Sequence, residues 1–252
     1  MIFKRAVAKL RAQDWVAILI ELFIVTVGVL LALAAQQWAE DRSWSNKVEA
    51  TRSVLHAELA EHYHYAVEFR VDYPCLQAQI HQLRHRVLTS KSTLDPAPLF
   101  AEDDGSHYVL RIPSKIYPAD AWEAAVSDGT IRSFDPALRR QLAGHYAQLP
   151  EMADINGENN AAEPAFVALT HPLPLDPTVR YAIIKDIERM RGRLEYLDML
   201  NGQLIENIEK AGMLPPAKDA QVVTERYGTY KFCKAHQLPT RSFTDAMKAV
   251  PN

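Results

Sequence analysis

The residues of this chain whose types and spacing invite chemistry are nine histidines, two cysteines and a tryptophan set in an alanine-rich block. His81 and His85 stand four apart, which puts two imidazoles on one helical face at a spacing suited to a metal ion. A fold-back at Pro74 would place His62 about as far before the bend as His85 lies after it, so that Glu58, His62, His81 and His85 converge. The motif is not specific, because His56, Glu58, Glu61, His62 and His64 do not reproduce the H-E-x-x-H spacing of a zinc hydrolase. Solvated histidines on a helical bundle read the same way. No metal is assigned, and His62, His81 and His85 stand only as candidate ligands.

Cys75 and Cys233 are the two cysteines. In an exported chain such a pair is normally a disulfide, here joining the C-terminal tail to the start of a helix at Cys75. Two free or partner-linked thiols are the alternative, and no C-x-x-C motif points to redox work. Trp122, in Ala121-Trp122-Glu123-Ala124-Ala125, reads as a core aromatic on a short helix, with a ligand-contacting ring as the other reading. Phosphate loops, a dinucleotide fingerprint, a G-x-S-x-G elbow and S-x-x-K are all missing. The carboxylates form no pair that spacing alone marks as acid and base. No catalytic residue or cofactor is assigned, and the chain reads as non-enzymatic.

Stepping outward to the elements, Val16 to Ala35 is an apolar run broken by one ionisable residue, Glu21. Twenty helical residues cover roughly 30 Å, the thickness of a bilayer's hydrocarbon core. Lys4, Arg5, Lys9 and Arg11 precede it and a mixed-charge segment, Glu40 to Glu49, follows. The positive-inside rule then places the N-terminus in the cytoplasm and the remainder outside. Trp15 and Trp38 mark the two interfaces. The rival is a cleaved signal peptide ending at Ala32-Leu33-Ala34, against which stand the length of the run and Glu21. At 100° per residue, Gly28, Ala32 and Ala35 fall within about 40° of Glu21. That face suits contact with another helix, through a second copy or a larger membrane protein. The bland reading is a snorkelling Glu on a lipid-facing anchor.

Beyond the anchor the chain is expected to be mainly α, a transmembrane helix continuing into a periplasmic helical bundle with little or no β. Residues 1–14 read as a cytoplasmic tail, 15–36 as the transmembrane helix and 37–252 as the periplasmic domain. The last divides into a stalk and helical hairpin (37–88), a connector (89–118), a bundle (119–211) and a C-terminal tail (212–252). Tyr108 to Ile112 is a candidate short strand. Asp135-Pro136 and Asp176-Pro177 carry the N-cap and first-turn proline pattern. Ile183, Ile187, Met190, Leu194, Leu197, Asn201, Leu204 and Ile208 alternate steps of four and three before Gly212 stops the helix. Such a seam packs in a bundle or pairs as a coiled coil. Only 9 glycines and a net charge of -3 fit this picture and give no pull toward nucleic acid.

Ile20-Glu21-Leu22, Gly28-Val29-Leu30-Leu31-Ala32-Leu33 and Gln36-Gln37-Trp38-Ala39-Glu40 together resemble the N-terminal anchor of a family of uncharacterised single-pass bacterial inner-membrane proteins. The block from Ala121-Trp122 to Asp128-Gly129 and the late Cys233 are also similar to its proteobacterial members. The resemblance implies the topology and a helical periplasmic domain, and it brings no activity. The resulting expectation is an accessory protein whose partners are the lipid bilayer and a membrane or envelope protein, or a second copy of itself. A small-ligand or sensory module signalling through a membrane partner is the alternative.

Overall fold

The computed structural model describes residues 15–101 and 107–248. The expected cytoplasmic tail, residues 1–14, lies outside the described residues, as do residues 102–106 of the connector. The chain divides into two compact units, Met1–Thr51 and Arg52–Asn252. The protein is mainly α, as expected. Helix α1, Trp15–Thr89, contributes to both units.

In the first unit, α1 carries an 18-residue apolar window of which none is buried. Leu22, Phe23, Ile24, Leu30 and Leu31 are all more than half exposed. A water-soluble helix of this composition would bury one face.

In the second unit, α1 is the central helix. Every residue from Ala66 to Asp72 is buried, so the helix is enclosed around its whole circumference there. Around it stand α2 (Asp120–Ser127), α3 (Pro136–Tyr146), α4 (Leu149–Val167), α5 (Pro177–Lys210), α6 (Ala217–Thr224), α7 (Gly228–Ala235) and α8 (Phe243–Ala246). Among the described residues, strand content is confined to β1 (Thr93–Leu94) paired antiparallel with β4 (Leu173–Pro174), and β2 (Phe100–Ala101) paired with β3 (His107–Tyr108). Of the expected strand from Tyr108 to Ile112, only Tyr108 is in a strand.

The expected hairpin at Pro74 is not formed; α1 continues through the proline to Thr89. An internal proline removes one ladder hydrogen bond and costs about 3 kcal/mol in an unsupported helix. Here burial on both sides outweighs it: Val71, Cys75, Leu76 and Ile80 are all within 2% of complete burial. The C-terminal tail also packs at this place, where the Arg241 N–H donates to the Val71 carbonyl at 2.8 Å. Arg241 then grips Asp198 of α5 with two 3.0 Å hydrogen bonds.

The capping patterns are realised. Asp135 accepts from the Ala137 and Leu138 N–H groups at the start of α3, and Asp176 from Val179 at the start of α5. Gly212, at φ 67°, closes α5, with the Met213 N–H returning to the Ile208 carbonyl. All of the α5 seam from Ile187 to Ile208 is buried, which makes it bundle core. Pro150 opens α4, whose polar stretch around Asn156 to Asn160 is helical.

Cys75 and Cys233 form the disulfide, with Cα atoms 6.0 Å apart. Phe232, Phe100 and Leu238 pack around the buried sulfurs. Replacing both cysteines by serine (C75S with C233S) is expected to cost about 2–5 kcal/mol, because the bond closes a long loop in the unfolded chain. Thermal unfolding of the two forms checks this, and equal melting temperatures would show that the bond contributes nothing.

Candidate functional site

The buried stretch of α1 carries polar side chains at Glu58, His62, Tyr65, Glu68, Asp72 and Gln79, each three, four or seven residues from the last. They form a polar stripe inside the bundle. Each must find a partner there, because water is excluded.

At its upper end, the Glu58 carboxylate accepts the Ala121 N–H at 2.9 Å and the Tyr146 hydroxyl at 2.5 Å. His62 Nε2 lies 2.7 Å from the Pro118 carbonyl and Nδ1 lies 2.8 Å from His145 Nε2. A carbonyl can only accept, so Nε2 of His62 carries the proton, and Nδ1 of the neutral ring accepts from His145. Both rings are held neutral. Burial lowers His62 to about 4, against the opposing pull of the Pro118 carbonyl and Glu61. Burial and then the neighbouring His62 lower His145 to about 3. Glu58 and His62 thereby fasten the segment Pro118–Ala121 to α1. Trp122 follows it and stacks on Tyr146 with centroids 4.9 Å apart and planes 7° off parallel.

Trp122 is half-buried, not a closed core aromatic. With Ala143, Ala147, Pro150 and Ala153 it lines an open groove of about 510 Å³. The Asn201 interruption of the α5 seam is also explained: its Oδ1 accepts from the Tyr117 hydroxyl at 2.7 Å and its Nδ2 donates to the Leu197 carbonyl.

Further along the stripe, Lys115 sits 2.9 Å from Glu68 and over the Tyr227 ring, 3.6 Å from its centroid. Asp72, fully buried, has neither carboxylate oxygen hydrogen-bonded. Burial, and next the Glu68 charge one turn away, push Asp72 up to about 8, against Lys115, Lys234 and Arg111. Asp72 is therefore mainly protonated at neutral pH, and Lys115 lies against Glu68, which burial also raises against the pull of Lys115 and Arg111.

No family model, curated protein or solved structure matches this chain.

The candidate ligands Glu58, His62, His81 and His85 do not converge. Because α1 does not turn at Pro74, His62 and His81 lie nineteen residues apart on one helix, roughly 28 Å. Both His62 nitrogens are engaged, and His81 and His85 are exposed with ring centroids 6.5 Å apart. Among the described residues no group of three metal-ligating side chains converges. Glu21, Gly28, Ala32 and Ala35 are all exposed on α1. A Cβ added at Gly28 would meet nothing within 4 Å.

Sequence reasoning singled out Glu58 and His62 with the wrong partners, and it missed Glu68, Asp72, Lys115, Tyr146 and His145. The signal was the three- and four-residue spacing of the polar stripe itself, which repeats as regularly as a core seam. It also missed Asn159, which lines a half-open cleft of about 180 Å³ between connector residues 109–114, α4 and α5.

The titrations act in opposite directions. Unfolding lets His62 and His145 return toward 6.5, so the unfolded chain takes up protons and stability falls as pH drops from about 6.5 to 4. Asp72 is raised, so the folded state holds the extra proton and stability falls as pH rises from about 4 to 8. Asp72→Asn removes the second effect, worth up to about 1.4 kcal/mol per pH unit. The variant should lose less stability than the parent from pH 6.5 to 8, where Glu68 alone of the two raised carboxyls remains, and lose stability more steeply below pH 6.5. Superimposable pH profiles would show that Asp72 is not held protonated.

Proposed function

We propose that this chain is a single-pass anchored accessory protein of the bacterial inner membrane, with its N-terminus in the cytoplasm and residues 37–252 in the periplasm. It works by binding another envelope component, and it does so without catalysis. The observation that carries this reading is the uncovered apolar window of α1. A helix that buries none of its apolar side chains in protein has lipid as its natural solvent. The basic residues ahead of it and the mixed charges behind it support the orientation. The disulfide supports an oxidising compartment for the second unit. The anchor's likeness to the single-pass inner-membrane family, on the Glu21, Gly28 and Gln36-Gln37-Trp38 pattern, points the same way.

Glu21 gives the contact its chemistry. A carboxyl beside Gly28, Ala32 and Ala35 offers a hydrogen bond on a face where a second helix approaches closely. The partner is a membrane protein or a second copy of the chain.

One observation favours a second reading, a small-ligand or sensory module. It is the half-open cleft beside Asn159, built by the connector and two helices. The groove at Trp122, where such a site was expected, is open by comparison.

Two measurements test the leading reading. After alkaline carbonate extraction the chain should remain with the membranes, and intact mass should include residues 1–34; a mature chain beginning at Ala35 would identify a cleaved leader instead. Glu21→Leu should weaken detergent-stable association, with itself or with co-purifying protein, by about tenfold, the scale of an intramembrane hydrogen bond of ~1–2 kcal/mol. Undiminished association would remove Glu21 from the contact.

A further inference from the structure

The geometry points to an acid-operated clasp at His62 and His145, in which proton uptake by this buried pair releases the start of α2, with Trp122, and the last turn of α3 from α1. The inference goes beyond membrane anchoring and does not depend on it.

The nitrogens of the two rings run in series from the Pro118 carbonyl toward α5. His62 Nε2 donates to that carbonyl, and His145 Nε2 donates to His62 Nδ1. Each ring has then used the one proton that a neutral imidazole carries. His145 Nδ1 is left as a bare acceptor, buried and without a donor. The Leu204 carbonyl of α5 faces this ring, and a carbonyl has no proton to give. The series is one proton short, and His145 Nδ1 is the position where that proton belongs.

The surroundings decide what the proton does there. His62 is 0% and His145 1% exposed, and no hydrogen bond joins either ring to a carboxylate. On α1, the Glu58 carboxylate is taken by the Ala121 N–H and the Tyr146 hydroxyl, while Glu61 is exposed and accepts from Tyr65. The connector presents the Tyr117 ring and α3 the Tyr146 ring, 5.5 and 5.8 Å from the His62 centroid. Burial raises both phenols well above their ordinary value, so they stay neutral. α5 adds only the dipole of the Leu204 carbonyl. A buried imidazolium in this setting has no counter-charge bonded to it, and water is its better host. The closed fold therefore keeps the pair neutral, and acid charges the rings by drawing them out to water.

The consequence is local. His62 and Glu58 hold the segment from Pro118 to Ala121, and His145 lies in the last turn of α3. The Cys75–Cys233 bond and the Arg241–Asp198 pair hold other parts of the domain and do not depend on these rings. Opening separates Trp122 from Tyr146 and widens the groove that both line.

Hydrogen–deuterium exchange of the full-length chain in nonionic detergent tests the clasp, at pH 7.5 and 4.5, with rates corrected for the intrinsic pH dependence of exchange. Residues 117–125 and 143–147 should gain exchange at pH 4.5 on the order of fiftyfold, as expected when one ring is freed from about 4 to 6.5, relative to residues 187–197 of α5. His62→Gln with His145→Gln keeps an amide N–H in place of each Nε2 and cannot titrate, so this local gain should vanish. An equal gain in the double variant would assign the opening to Glu58 and overturn the clasp. A gain spread evenly over the domain would overturn it as well. Nitrogen-15 spectra of the unsubstituted chain need no variant: the two rings joined by mutual cross-relaxation should both be Nε2–H tautomers at pH 7.5. An imidazolium on either ring while residues 117–125 stay protected would show that the pair takes up its proton without opening, and the proposal would fall.

Discussion

A helix enclosed on every side has no solvent to which it can surrender a polar group, and α1 brings Glu58, His62, Glu68, Arg70, Asp72 and Gln79 into that enclosure. Much of the second unit is arranged to meet this demand. The start of α2 lies where Glu58 can take its Ala121 N–H, and α3 is placed so that Tyr146 and His145 reach Glu58 and His62. The connector brings Lys115 to Glu68, and the Arg111 backbone pairs with the Gln79 amide at both ends. Arg70 reaches Asp198 and the Lys248 carbonyl, drawing α5 and the C-terminal tail to the same helix. Apolar packing supplies the bulk of the driving force, but it is indifferent to register. The polar stripe is what gives each surrounding segment one position along α1.

That division of labour explains what was legible beforehand. Helix ends written in local chemistry were readable: Asp135-Pro136, Asp176-Pro177 and Gly212 each act through their own neighbours, and each fell where expected. The α5 seam was readable because that helix has a wet side to contrast with its dry one. Around Ala66–Asp72 there is no wet side, so the hydrophobic period dissolves and polar residues look like exposure. Pro74 misled for a related reason. Its local penalty is real, but the decision between hairpin and continuous helix belonged to partners more than a hundred residues away, at Cys233 and Arg241.

The cavity was illegible for a third reason. Asn159 sits in a polar stretch, Asn156 to Asn160, whose composition gives no sign of burial. Only the approach of the connector and of Arg193 turns one of these amides inward and fixes its direction. The histidines show the converse. His81 and His85 had the more suggestive spacing and are solvent-facing, whereas His62 and His145, 83 residues apart, form the stacked and hydrogen-bonded pair. Spacing reports shared faces on one helix; it carries no information about which other helix will arrive.

The bond between Cys75 and Cys233 makes a covalent ring of nearly everything except α1's first sixty residues and the last short tail. The connector, the loops between α2 and α5 and the cavity all belong to that ring. A protease that cut any one of these segments once would open the chain without freeing a fragment, since both pieces stay tied through the sulfurs. The exposed connector can thus be nicked while the two products still migrate as one molecule until a reductant is added. Damage at the surface is thereby separated from loss of the domain.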